Sequence, residues 1–245
     1  MRTWQIAAPA LAAVSFLASS VIAQDPKQAL QEKVAALKQS MAQNQAALRQ
    51  YSWTARTEIS LKGEVKKTTE SLCRYGPDGK VQKTPLGAPA AQAQPQSGGG
   101  RQRRGGGALK EKVVEKKKDE MEDYMERAVA LIHNYVSPSP ERIQAAVQAG
   151  NVSLGQAGGD QVQIKFSNYL KSGDAMVLTL DKSAKALRRV AIDSYLDDQK
   201  DAVALHVDFA TLPDGPNYAA ATTFTAAAKK IQVVTRNSNY QKIAQ

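Results

Sequence analysis

Few side chains in this sequence could do chemistry, and their spacing limits what each could contribute. One cysteine, Cys73, and two histidines, His133 and His206, are the only thiol and imidazole groups in 245 residues. A structural zinc site wants four such ligands, and a thiol nucleophile wants a basic neighbour. Three residues scattered along the chain supply neither pattern, and a single cysteine forms no internal disulfide. Asp197, Asp198 and Asp201 could open a calcium loop. Such loops alternate oxygen ligands around a glycine, whereas here Lys200 intervenes and no glycine does, so the run reads as an acidic turn. A nucleophile elbow, a phosphate loop, a dinucleotide fingerprint and a zinc-protease helix are all absent. The sequence therefore predicts no catalytic residue, no metal and no cofactor. An enzyme would have to be assembled from scattered strand residues.

The loudest local chemistry is cationic. The run Gly98 to Gly107 holds Arg101, Arg103 and Arg104 on a glycine backbone, a composition that can reach phosphates. No aromatic residues interleave to stack on bases, so nucleic acid is not an expected partner. An anionic membrane surface or envelope polymer suits the run better. Residues 101–118 carry eight cations against two acids, which places most of the chain's net charge of +10 in one stretch. The alternative is that the run is only a solvated linker.

These groups must be positioned by the elements around them, and the first of those concerns address. Residues 1–23 have one early cation (Arg2), an apolar run from Ile6 to Ile22 and a small-residue ending at Ala23. That pattern predicts a signal peptide cleaved near Ala23, and hence a periplasmic or secreted protein without a transmembrane segment in the mature chain. Residues 24–245 then read as one domain. Asp25-Pro26 starts a helix over 26–49 with Leu30, Val34, Leu37, Met41 and Leu48 on one face, and Asn44 in the slot where another apolar residue belongs. Period two begins at Tyr51, with Trp53, Ala55, Thr57, Ile59 and Leu61 on one side. A second strand over Val65 to Tyr75 and a weaker third over Lys80 to Leu86 complete a hairpin or meander. Residues 87–107 are rich in Ala, Gln, Pro and Gly and predict a disordered insertion. A helix over Leu109 to Tyr135 follows, charged in its first half and striped in its second by Met121, Tyr124, Met125, Ala128, Leu131, Ile132 and Tyr135. Pro138 ends it. A shorter helix runs through Val147, and a short segment Val152 to Leu154 and a glycine-rich turn at 155–159 lead into the last third.

The last third, 161–240, alternates apolar and polar residues over six segments separated by hairpin-sized turns. Val162, Ile164 and Phe166 open it; Met176, Leu178 and Leu180 follow; Val190 and Ile192 mark the third. Val203, Leu205, Val207 and Phe209 define the fourth, Tyr218, Ala220, Thr222 and Phe224 the fifth, and Ile231 and Val233 the last. The expected fold is α+β, a curved antiparallel sheet with one apolar face and helices to cover it. Trp53, Ile59, Leu178, Leu205, Val207 and Phe209 are the side chains that would line that face. They could build a packed core or surround a cavity that holds an acyl chain.

Tyr51-Ser52-Trp53 after the first helix, Tyr75-Gly76-Pro77-Asp78-Gly79-Lys80 after the second strand, and the final meander through Leu187-Arg188-Arg189-Val190 resemble the periplasmic lipoprotein-carrier superfamily, the LolA/LolB-like fold. The resemblance implies an incomplete barrel wrapped over helices, and an apolar ligand. The Gly-Arg insertion and the charged helix start depart from that pattern. The expectation is a non-catalytic exported envelope protein that shelters a lipid, an acyl chain or an acylated partner. Its rival is an interaction module whose basic segment 98–118 binds a protein or an anionic polymer.

Overall fold

The computed structural model describes residues 43–87, 107–136, 140–184 and 186–243. The expected signal peptide, most of the first helix, Arg101, Arg103, Arg104 and Pro138 lie outside the described residues. Among those described, ten strands form one curved antiparallel sheet: β1 (Tyr51–Leu61), β2 (Glu64–Tyr75), β3 (Val81–Pro85), β4 (Val152–Gly158), β5 (Gln161–Ser167), β6 (Ala175–Asp181), β7 (Ala186–Tyr195), β8 (Ala202–Thr211), β9 (Asn217–Ala226) and β10 (Ile231–Lys242). Residues 43–48 are helical and are called α1; α2 spans Gly107–Val136 and α3 Pro140–Gln148. The strand order is β3-β2-β1-β10-β9-β8-β7-β6-β5-β4, so the sheet does not close and β3 and β4 are its edges. Most neighbours are sequential hairpins. The exception is β1 against β10, which joins the N-terminal meander to the long C-terminal run.

Period-two alternation in every strand builds the apolar face as rows running across the sheet. One row is Val152, Phe166, Met176, Ile192, Leu205, Phe224, Val233 and Ile59, each paired with the next. The adjacent row is Leu154, Ile164, Leu178, Val190, Val207, Thr222, Thr235 and Thr57. It turns from aliphatic to hydroxylated at β9, where Thr57 and Thr235 hydrogen-bond to each other at 3.0 Å. The helical stripe packs against this face: Tyr124, Met125, Ala128, Ile132 and Tyr135 are buried in one cluster with Phe166, Met176, Ile192, Leu205 and Phe224.

Two sequence expectations are corrected. The glycine-rich stretch from 155 onward is not a turn: β4 runs through Gly155 to Gly158, paired with β5, and the reversal is confined to Gly159 and Asp160. Glycine weakens a strand interior, but at a sheet edge that needs only one partner it is tolerated. On β9, the simple alternation fails because a bulge between Asp208 and Phe209 leaves Ala220 without an opposite residue. Phe209 therefore faces Ala219, and Tyr218 and Ala220 turn away from the side occupied by Thr222 and Phe224.

Candidate functional site

Helix α2 lies across one end of the apolar face and is fastened there by polar contacts that sequence reasoning did not anticipate. Tyr124 Oη donates to Asp201 Oδ1 at 2.9 Å, and Arg127 Nη1 contacts both oxygens of Asp197 at 2.9 and 3.0 Å. The acidic turn is thus a docking point for the helix. No group of His, Cys, Asp or Glu among the described residues is arranged to hold a metal. At the last turn of the helix, Tyr135 Oη donates to Asp174 Oδ2 at 2.5 Å and meets Ser194 Oγ at 2.7 Å. Asp174 is 2% exposed, and it also accepts the backbone N–H groups of Tyr169 (2.5 Å), Leu170 (2.9 Å) and Lys171 (2.8 Å). Since Tyr135 gives its proton to the carboxylate, Ser194 is the donor in their mutual bond. Burial and the facing carboxylates push the phenols of Tyr124 and Tyr135 well above their ordinary range, so both stay neutral donors.

The opposite end of the sheet is built differently. Tyr51 and Trp53 from β1, Tyr75 from β2, Tyr218 from β9 and Tyr240 from β10 converge there. Trp53 stacks on Tyr240 with ring centroids 5.5 Å apart and an interplanar angle of 9°, and is tilted against Tyr75 at 5.2 Å. Tyr240 also contacts Tyr218 at 4.3 Å and meets Tyr51 edge-on at 6.3 Å. The pairing of β9 with β10 stops at Ala221 and Arg236, which opens room for these rings. Asn239 has φ +55° at the irregularity opposite Trp53, the local kink that brings Tyr240 onto the Trp53 side. Tyr51 donates to Asp214, which also pairs with Lys242 at 2.7 Å, so the ends of β1 and β10 are tied to the turn before β9.

Helix α1 enters at this split. Asn44, the polar residue in an otherwise apolar series, donates from Nδ2 to the Asn217 carbonyl and accepts the Asn217 N–H at Oδ1, both at 2.8 Å. Its carboxamide supplies to β9 the hydrogen bonds that a neighbouring strand would have made. Beyond α1, a groove of about 580 Å³ opens between Arg49, Arg74, Tyr75, Gly76, Pro77, Gln82 and Ile243. Gly79 at the adjacent turn has φ +75°, and the Arg49 guanidinium sits 2.6 Å from where its Cβ would stand, so only glycine lets this arginine approach. Tyr75 belongs both to the groove wall and to the cluster around Trp53 and Cys73, so groove and aromatic cluster are continuous. Burial raises the phenols of Tyr75, in the groove wall, and of Tyr240, in the cluster behind it, so both stay uncharged.

The six expected lining residues divide between these regions. Leu205, Val207 and Phe209 are buried in the main cluster, and Ile59 and Leu178 pack against it half-buried. Trp53 belongs to the second cluster, with Ala55 and Cys73. Cys73 is fully buried, deeper than the half-buried position its strand alternation suggests, and burial pushes its thiol up, away from a nucleophilic thiolate. His133 and His206 are exposed. Arg49, Arg74, Tyr240 and Ile243 were not singled out from sequence. Arg49 and Arg74 lie next to the Tyr51-Ser52-Trp53 and Tyr75 motifs, whereas Tyr240 and Ile243 carry no such signal; the four come together from three separate segments.

No protein-family model matches the chain, and no curated protein matches it. Among solved structures it is similar to a DUF1329 family protein from Desulfovibrio piger, at 14% identity and a TM-score of 0.38, over 89% of this chain and 94% of that one. Likeness at that level carries no argument about what this chain does.

Proposed function

We propose that the protein is a non-catalytic, exported envelope protein that shelters an acyl chain or an acylated partner, admitted through the groove at Arg49 and Arg74. The observation that carries this reading is the continuity of an open groove of about 580 Å³ with the Trp53–Tyr75–Tyr240 aromatic cluster. That volume falls within the range of small-molecule sites, which are mostly apolar with a few oriented polar groups. A carboxylate or phosphate headgroup would sit against the two guanidinium groups, and the chain would run over Pro77, Ile243 and Tyr75 toward Trp53. The resemblance to periplasmic lipoprotein carriers supports an apolar ligand, and the signal-peptide pattern of residues 1–23 supports export. Arg101, Arg103 and Arg104 would steer the protein to anionic membrane surfaces, an attraction that salt weakens.

Lipid extraction of gently purified protein, with native mass spectrometry of the same sample, tests this reading. A reproducible lipid adduct is expected, together with uptake of a fluorescent fatty acid that the Arg49→Glu/Arg74→Glu pair weakens by about tenfold or more. A clean mass with no uptake of added fatty acid would end it.

One observation favours a second reading, an interaction module working through the basic segment 98–118. Five of the six expected lining side chains belong to, or pack against, the one core cluster that α2 joins, so they fill a core there rather than face an opening. Deleting 88–107 separates the two: acyl binding survives under the first reading, and partner binding is lost under the second.

A further inference from the structure

The two edges of the sheet are guarded unequally. Lys80 precedes β3, which carries Lys83 and Pro85 within its five residues, devices that discourage pairing with another strand. The other edge, β4, reads Val-Ser-Leu-Gly-Gln-Ala-Gly and has no charge and no proline. Residues 153–158 are all exposed, and Leu154, the outermost member of the second apolar row, is 79% exposed. The apolar face therefore runs out to an uncovered strand.

The backbone of that strand has a definite polarity of pairing. The Ser167 N–H donates to the Asn151 carbonyl at 2.8 Å, which makes Asn151 and Ser167 a hydrogen-bonded pair. Bonded and non-bonded pairs alternate along an antiparallel ladder. In the observed register Ser153 with Lys165 and Gly155 with Gln163 are bonded pairs, so Val152, Leu154 and Gln156 turn their N–H and C=O groups outward. These three outward residues are symmetric about Leu154.

We propose that β4 pairs with β4 of a second copy of this chain, through a two-fold axis at Leu154. Leu154 then faces Leu154 of the partner, Val152 faces the partner's Gln156, and all three outward residues are satisfied by roughly six hydrogen bonds. Directly opposed residues of an antiparallel pair share a face, so the second apolar row continues through two adjacent leucines into the other copy. A two-fold places each residue near its own equivalent, and only an edge without charge escapes like-charge repulsion in that arrangement. The β3 edge fails that condition at Lys83. Seven residues a side make a small contact, so the association is reversible and concentration-dependent. This inference does not depend on acyl binding, since β4 lies at the other edge of the sheet from the Arg74 groove.

Sedimentation velocity of the purified protein, from about 5 to about 500 µM, is expected to show monomer passing to dimer by mass action. Leu154→Lys brings two ammonium groups together at the axis and should raise the dimer dissociation constant at least about tenfold, with an unchanged circular dichroism spectrum. Leu154→Cys should form a disulfide-linked dimer under mild oxidation, because Cα atoms of a directly opposed bonded pair are about 5.5 Å apart. Ser153→Cys should not, since its equivalents are diagonal, roughly 7–8 Å apart. A protein monomeric throughout the range overturns the proposal. So does a dimer indifferent to Leu154→Lys, or equal cross-linking at 153 and 154.

Discussion

Replacing Asp174 by alanine should cost the protein a large share of its stability through lost hydrogen bonds, since the carboxylate is buried at 2% exposure. Its two oxygens accept four hydrogen bonds: from Tyr169 N–H at Oδ1, and from Leu170 N–H, Lys171 N–H and Tyr135 Oη at Oδ2. A buried donor left without an acceptor costs about 1–3 kcal/mol. Tyr169 N–H is buried and would bear that in full. Leu170 and Lys171 are only part-buried and can recruit water, and Tyr135 keeps Ser194 as a neighbour, so each of these adds about 1 kcal/mol or less. Together these give an expected loss of about 1–6 kcal/mol, centred on roughly 3–4, against a typical domain stability of about 5–15 kcal/mol. Asp174→Asn retains a carbonyl that can take the Oδ2 position and its three donors, but it sets an NH₂ against Tyr169 N–H; about 1–3 kcal/mol is expected. Tyr135→Phe removes one bond to a charged acceptor and should cost about 1–2 kcal/mol. Urea unfolding followed by circular dichroism gives all three. A loss below about 1 kcal/mol for Asp174→Ala, or equal losses for Ala and Asn, would refute the assignment of this carboxylate as the clasp between α2 and the sheet.

Asn44→Leu restores the apolar series of the first helix but leaves the Asn217 N–H and carbonyl without their partner; a loss of about 2 kcal/mol and faster hydrogen exchange at the Asn217 amide are expected. Thr222→Val should be neutral or stabilising by up to about 1 kcal/mol in thermal unfolding, because the buried Thr222 hydroxyl has no hydrogen-bond partner among the described residues. Asp181 is held at about 2 by the Ala184 N–H, the Ser183 hydroxyl and Arg188. A depressed carboxyl stabilises the fold above its unfolded value near 4 and loses that contribution as pH falls toward 2. The difference in melting temperature between wild type and Asp181→Asn should therefore shrink across that window, and a constant gap would count against the turn. Leu205→Ala, at a fully buried position in the longest apolar row, should cost about 2–5 kcal/mol in the same unfolding assay.

The strands and the long helix were legible in the sequence because each depends on a local period. Alternation at Val203, Leu205, Val207 and Phe209 and the three-four spacing of Tyr124, Ala128, Ile132 and Tyr135 need no knowledge of distant residues. Deviations inside elements were less legible. The bulge that turns Tyr218 away from the core exists only in the pairing of β8 with β9, and the second half of β4, from Gly155, reads as a glycine turn until β5 lies beside it. Asn44 showed in the sequence as an anomaly without a cause; Asn217, 173 positions later, supplies the cause.

The sequence by itself determined the α+β class, the place of most strands, the face that most of them bury and the stripe by which the long helix docks. These follow from side-chain periodicity, which the chain carries locally. Tertiary structure alone decided the pairing of β1 with β10, the clasp at Asp174, the division of the six expected lining residues into two clusters, and the groove beneath Arg49 and Arg74. Each of these brings together side chains from segments far apart in the chain. Which distant segments meet is set by the summed packing of the whole sheet, and no local pattern records it.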